Sequence, residues 1–183
     1  MAAEAVKPWW REAIETIVWA FVLAMIIRTF IVQAFWIPSG SMIPTLEIND
    51  RVLVAKFWTA FFEPSRGSLY VFRYPLDPER DFVKRIIAIP GDTVDIKEGV
   101  VYINGVPTEE EYVKHHDKFT FDEKTSRMFK QAPFTVPEGK YFMLGDNRGN
   151  SQDSRYWGFA DIKDMRGPVF FRYWPLNRIG IPK

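Results

Sequence analysis

IPSGSMIPTL, residues 37–46, is where the character of the chain turns over: a long apolar segment ends at it, and short strands and turns run on from it. Pro38 and Gly40 impose a backbone of fixed shape there, neither helix nor sheet interior. Ser41 sits inside that loop, with Ser39 two residues before it and Met42 after it. Taken alone, a serine in a Gly/Pro turn is turn chemistry. The flanking sequence decides whether it is more.

Upstream, TIVWAFVLAMII (16–27) carries no charge, and the apolar character resumes after Arg28 and Thr29 as FIVQAFWI (30–37). A helix over 14–30 has seventeen residues, at the low end of what crosses a bilayer. Arg28 can snorkel to the headgroups, and Trp19, Phe35 and Trp36 are aromatics of the kind that favour interfaces. The rest of the chain offers almost no helices for a buried core helix to pack among. A cleavable leader would need small residues at its exit, where QAFWIP has bulky ones. The expectation is a retained anchor: residues 1–13 on the cytoplasmic side, 14–36 as membrane helix and exit, and 37–183 outside. Lys7 and Arg11 before the span, with no Lys or Arg after its end until Arg51, set that orientation.

Downstream the period changes to two. DRVLVAKF (50–57), SLYVFRY (68–74), DFVKRIIAI (81–89) and TVDIK (93–97) are rich in β-branched and aromatic residues and bounded by Gly, Pro and Asp. VVYINGVP (100–107) is a hairpin on Asn104-Gly105. Residues 108–131 are charged and read as an exposed excursion; strands return at FTV (134–136), KYFMLG (140–145) and PVFFRYW (168–174). The fold class is therefore mainly β: an antiparallel β-sheet domain with a small β insertion over about 99–139, preceded by one transmembrane helix. FWTAFF (57–62) is either core packing or a loop dipped into the headgroup region.

Composition narrows the function classes. Lysine plus arginine (24) nearly balance aspartate plus glutamate (23), which argues against a nucleic-acid partner. The absence of cysteine excludes disulfides, thiolate catalysis and cysteine-ligated zinc. His115 and His116 are adjacent, so they cannot share a helix or strand face; no metal and no cofactor is expected.

Two further features could carry chemistry. Lys84, on strand 81–89, shares its face with Phe82, Ile86 and Ala88, while Arg85 points the other way. A lysine on that stripe either snorkels or is buried, and burial lowers its pKa toward neutrality. A neutral amine is a general base, and a Ser–Lys pair is a known variant of the Ser–His–Asp arrangement. GDNRGNSQDSRYWG (145–158) is a loop dense in Gly, Asn, Asp and Ser, with Asp146 or Asp153 available to pair with Arg148 or Arg155. Arg148 stands where a calcium loop needs an oxygen ligand, and a phosphate loop lacks its G-K-[ST].

Together, PSGSM (38–42), FVKRIIAIPGD (82–92) and GDNRGNSQDSRYWG resemble the signature boxes of bacterial type I signal peptidase, the leader peptidase family, in the family's order. The resemblance implies a membrane-bound serine endopeptidase that removes signal peptides from exported preproteins after small residues. It implies Ser41 as nucleophile, Lys84 as general base, and Ser39 as an oxyanion-hole donor beside the Ser41 N–H. Ser151 would orient the lysine amine; Asp146, Asp153 and Arg155 would support the site. Phe35, Ile37, Met42, Leu46, Phe82 and Val83 would line the substrate pockets. Gly149 stands where the third box often has Asp, and the insertion is far shorter than in the largest members. Two other readings stay open at this level: a tethered, non-catalytic β module, and a soluble self-cleaving Ser–Lys regulator.

Overall fold

In the computed structural model, which describes residues 8–113 and 132–183, the first element is α1 (Trp9–Ile26), prolonged by one π-helical turn at Ile27–Ile31. It starts directly after Pro8, whose fixed φ suits the entry of a helix. The whole of Trp9–Ile31, 23 residues, is long and apolar enough to cross a membrane, and none of it is buried against protein. At 1.5 Å per residue it extends about 35 Å, enough for a hydrocarbon core. It therefore begins five residues earlier than the expected Ile14, and Trp9 to Ala13 belong to the helix rather than to a polar lead-in.

Its end corrects the sequence reading too. Val32–Trp36, read from the sequence as the exit from the membrane, is strand β1, paired antiparallel with β2 (Arg51–Ala55) from Val32 opposite Ala55 to Trp36 opposite Arg51. Apolar composition alone does not separate a span from a strand; β1 is decided by the partner that Arg51–Ala55 provides.

The remaining elements are α2 (Trp58–Phe61), β3 (Leu69–Tyr74), β4 (Asp77–Ala88), β5 (Thr93–Lys97), β6 (Val100–Ile103) and β7 (Val106–Pro107), then β8 (Phe134–Thr135), β9 (Lys140–Leu144), α3 (Ser154–Trp157), β10 (Ala160–Asp161) and β11 (Met165–Trp174). Among the described residues they form a seven-stranded sheet, ordered β1-β2-β11-β3-β4-β9-β10, and a four-stranded sheet, β7-β6-β5-β8. All pairings are antiparallel. The small sheet begins at Thr93, so the inserted subdomain starts earlier than the expected 99. His115 and His116 lie outside the described residues.

Three buried clusters follow from the strand faces. Ile37, Met42, Leu46, Val52, Val54, Leu69, Val71 and Val169 pack under the Ser41 loop. Tyr70, Phe72, Ile86, Met143 and Trp157 fill the middle of the large sheet, with Phe82 against them. Ala88 does not share that face as expected. A register shift against β9 between Ile86 and Ala88 turns Ala88 toward the cluster of the small sheet, with Val94, Val101 and Leu144. The bulge breaks the period of two just past Lys84.

Candidate active site

The Ser41 loop is built from backbone bonds at both ends. Ile37 N–H donates to the Asp50 carbonyl (2.9 Å), and Asn49 N–H donates back to the Ile37 carbonyl (2.8 Å). Gly40–Met42 makes one 3₁₀ turn, which Met42 and Leu46, both fully buried, anchor into the core. From the far side the 145–158 loop clamps it. Asn147 N–H donates to the Ser41 carbonyl (3.1 Å) and the Asn147 side-chain amide to the Gly40 carbonyl (2.9 Å).

Lys84 reaches the same place from the interior of β4, opposite Tyr70 of β3. It is 3% exposed. Its Nζ donates to Ser41 Oγ at 2.8 Å and to the Val83 carbonyl at 2.9 Å, and lies 5.2 Å from the centre of the Phe82 ring. Burial pulls the amine's pKa down from 10.5 to about 8, the Asp153 and Asp146 carboxylates oppose that fall, and Arg155 adds to it. A large fraction of the lysine is thus neutral, with a free lone pair, only slightly above neutral pH.

The two acidic residues that moderate Lys84 are themselves held. Asp146 accepts from Arg85 Nε (2.9 Å) and Nη2 (2.7 Å) and from Thr45 Oγ1 (2.5 Å). Arg85 does point away from Lys84, yet it is buried and ties β4 to both loops. Asp153 accepts from Arg155 Nε and Nη2 and from the Gly145 N–H (3.0 Å). Arg148 pairs with neither aspartate. It makes a bidentate pair with Glu110 (2.7 and 2.5 Å), so Glu110, read from the sequence as part of an exposed charged run, is buried. That pair, bonded on to the Gly145 carbonyl through Arg148 Nε (3.1 Å), links the residues beside the small sheet to the site.

Ser39 is exposed at the rim, with its Oγ 3.5 Å from Ser41 Oγ. The expected bond from Ser151 to Lys84 is not formed: Ser151 Oγ is buried without a hydrogen-bond partner among the described residues. It is turned onto Gly145, where a Cβ would collide with it and stand 2.5 Å from the Ser41 carbonyl oxygen. The lysine is oriented instead by the Val83 carbonyl of its own strand.

Ser41 and Lys84 open onto a groove of about 520 Å³. Phe35, Ile37, Phe82 and Val83 line it, joined by Arg80, Asp81 and Gln152, which the sequence reading did not single out. Met42 and Leu46 do not line the groove; they are wholly buried in the cluster behind it. Arg80 and Asp81 carry no local signal, since they sit in the polar first half of β4 that only the tertiary fold brings to the groove.

Comparison with known proteins follows the same landmarks. The signal peptidase, peptidase S26, family model matches residues 10–174. A probable signal peptidase I-2 of Synechocystis sp. is 40% identical over 178 residues, covering 94% of this chain and 77% of its own. A signal peptidase I of Leptolyngbya laminosa is 40% identical over 177 residues, covering 92% of this chain and 82% of its own. A solved signal peptidase I from Enterococcus faecalis V583 is 35% identical, covers 59% of this chain and 97% of its own, and superposes with a TM-score of 0.49. The matched stretch runs from α1 through the Ser41 loop, β4 and the 145–158 loop to the end of β11, so the chain belongs to the signal peptidase family, peptidase S26, and is a serine endopeptidase with signal peptidase activity.

Proposed function

We propose that the chain cleaves preproteins with a Ser41–Lys84 dyad beside the outer surface of the membrane in which α1 is anchored. The observation that carries this is the 2.8 Å contact between a buried lysine amine and Ser41 Oγ at the head of a groove walled by Phe35, Ile37, Phe82 and Val83. Neutral Lys84 accepts the Ser41 proton as Oγ attacks the scissile carbonyl. The resulting ammonium returns that proton to the leaving amine, leaving an ester on Ser41. Lys84 then takes a proton from water, the hydroxide attacks the ester, and the proton returns to Ser41 as the carboxylate departs. The Ser41 N–H and the Ser39 hydroxyl stabilise the tetrahedral oxyanion.

Phe35, Ile37, Phe82 and Val83 supply bulky walls close to the nucleophile, with Met42 and Leu46 filling the space behind them. Such walls admit small side chains next to the scissile bond and refuse large ones. Asp146, Asp153 and Arg155 hold the two loops around the dyad. Ser151, buried against Gly145 beside the Ser41 loop, is the residue the family resemblance assigns to the lysine amine.

The cytoplasmic N-terminus and outward-facing β domain rest on Lys7 before the span and Arg11 in its first turn. Ser41 lies ten residues beyond Ile31, at most about 35 Å of chain, and five of the residues between them are locked in β1. The nucleophile is thus held near the surface by a paired strand, a geometry suited to a substrate anchored in the same bilayer.

The test is incubation of the full chain with a model preprotein and sequencing of the new N-terminus, beside Ser41→Ala and Lys84→Met. Cleavage after a small residue by the unaltered chain, with both variants folded and inert, is expected. Full activity in Lys84→Met would overturn the mechanism.

A further inference from the structure

Glu110 and Tyr112 come from the inserted subdomain, yet both end against the loop that clamps Ser41. Thr108 N–H donates to the Val101 carbonyl of β6 (2.9 Å), which fixes where the chain leaves the small sheet. A turn follows, closed by Val113 N–H on the Glu110 carbonyl (3.0 Å). It directs two side chains onto two arginines. Glu110 takes the Arg148 fork with both oxygens, and the two side chains are only 2% and 1% exposed. The Tyr112 hydroxyl donates to Glu110 Oε1 (2.8 Å), and its ring covers the Arg85 guanidinium, whose Cζ lies 3.9 Å from the ring centre. Burial and the Glu110 carboxylate push the phenol's pKa up, so it donates across the pH range of the reaction.

Each arginine holds one residue of a run of three. Arg148 Nε donates to the Gly145 carbonyl (3.1 Å), and Arg85 grips the Asp146 carboxylate with Nε and Nη2. The next residue, Asn147, donates its side-chain amide to the Gly40 carbonyl (2.9 Å) and its N–H to the Ser41 carbonyl (3.1 Å). The Gly40 carbonyl and the Ser41 N–H belong to one planar peptide and point to opposite sides of it. Pinning the carbonyl therefore aims the N–H, the group that meets the oxyanion. A guanidinium buried in a bidentate pair, and one stacked on a ring, have little freedom, so the brace transmits position. Without Glu110, Arg148 loses its carboxylate fork while still buried, and the Gly145 end of the run is released.

We propose that Glu110 and Tyr112 are positioning residues for the cleavage reaction: by bracing Arg148 and Arg85 they hold Gly145–Asn147 against the Ser41 loop and aim the Ser41 N–H at the developing oxyanion. The proposal rests on the Ser41–Lys84 reading of the site. It gives the insertion a part in catalysis although neither residue lines the groove. A misdirected N–H is felt in the transition state, where the oxyanion forms, far more than in substrate binding.

The test uses the full chain in detergent with a peptide substrate, a peptide aldehyde that ends at the cleaved residue, and the matching peptide alcohol. Ser41 Oγ adds to the aldehyde carbon as Lys84 takes its proton, leaving the former carbonyl oxygen as an anion in the oxyanion position. The alcohol binds without that bond. In Glu110→Gln and Tyr112→Leu, kcat is expected to fall by up to about 10²-fold with KM little changed. Aldehyde binding should weaken in proportion while alcohol binding stays as it is. Tyr112→Phe, which keeps the ring on Arg85, should recover most of the loss. Asn104→Ala is the control for stability alone. It removes bonds to Asp92 (3.0 Å) and from the Thr93 N–H (2.8 Å) in the same subdomain, and should leave kcat and both inhibitors unchanged. Unchanged kcat in folded Glu110→Gln and Tyr112→Leu, equal weakening of aldehyde and alcohol, or the same losses in Asn104→Ala would overturn the positioning role. If Glu110→Gln does not fold, Tyr112→Leu beside Tyr112→Phe decides. Full activity in Lys84→Met removes the dyad, and this proposal with it, whatever those variants do.

Discussion

Lys84→Met should change the pH dependence of stability as well as activity. The folded-state pKa of Lys84 lies at about 8 against an ordinary 10.5, chiefly because burial penalises the ammonium. That difference corresponds to about 3 kcal/mol. Below pH 8 the amine is protonated in folded and unfolded chains alike, and the whole penalty opposes folding. Between about 8 and 10.5 the unfolded chain keeps a proton that the folded chain has lost, so stability rises with pH. Above 10.5 both are neutral and the penalty is gone. Methionine fills a similar volume without charge but forfeits the bonds to Ser41 Oγ and the Val83 carbonyl, together about 2 kcal/mol. The variant should therefore be about 1 kcal/mol more stable than the unaltered chain at pH 7 and about 2 kcal/mol less stable near pH 10.5. Denaturant unfolding of both proteins in one detergent, followed by tryptophan fluorescence across that range, measures the difference. Parallel stability curves with no crossover would refute the claim that the amine is buried and depressed.

Three other substitutions test the surroundings of the dyad. Glu110→Ala leaves the Arg148 guanidinium buried without its bidentate carboxylate and should destabilise by about 3–5 kcal/mol, read as a lower denaturation midpoint. Gly145→Ala drives a methyl group into Ser151 and toward the Ser41 carbonyl, so it should destabilise by about 1–3 kcal/mol and sharply reduce preprotein cleavage; an active, equally stable variant would contradict the close approach. Ser39→Ala should lower kcat by about 10²–10³ with little change in KM if its hydroxyl meets the oxyanion, and steady-state kinetics on a peptide substrate decides it.

What could be read from the sequence follows from how local each signal is. The strands around 51–55, 69–74, 93–97 and 100–103 announce themselves through alternation and turn residues, and Lys84 stood out because its own strand surrounds it with apolar neighbours. Val32–Trp36 reads only as an apolar exit from the membrane, because its residues suit either state until β2 is known to lie beside it. Glu110 looked solvated among its charged neighbours, and only a partner 38 residues away in the chain buries it. The pairing of Asp146 with Arg85 rather than Arg148 is likewise a contact across 61 residues. Ser151 carries a different lesson: a motif position implies proximity to the lysine, but the direction of a hydroxyl is set by its immediate packing, here the bare face of Gly145.

The pH dependence of kcat/KM for preprotein cleavage tests the dyad most directly. With Lys84 as the base and its pKa at about 8, the rate should fall tenfold for each pH unit below that value and level off above it. A rate that stays flat from pH 5 to 9 would contradict the account.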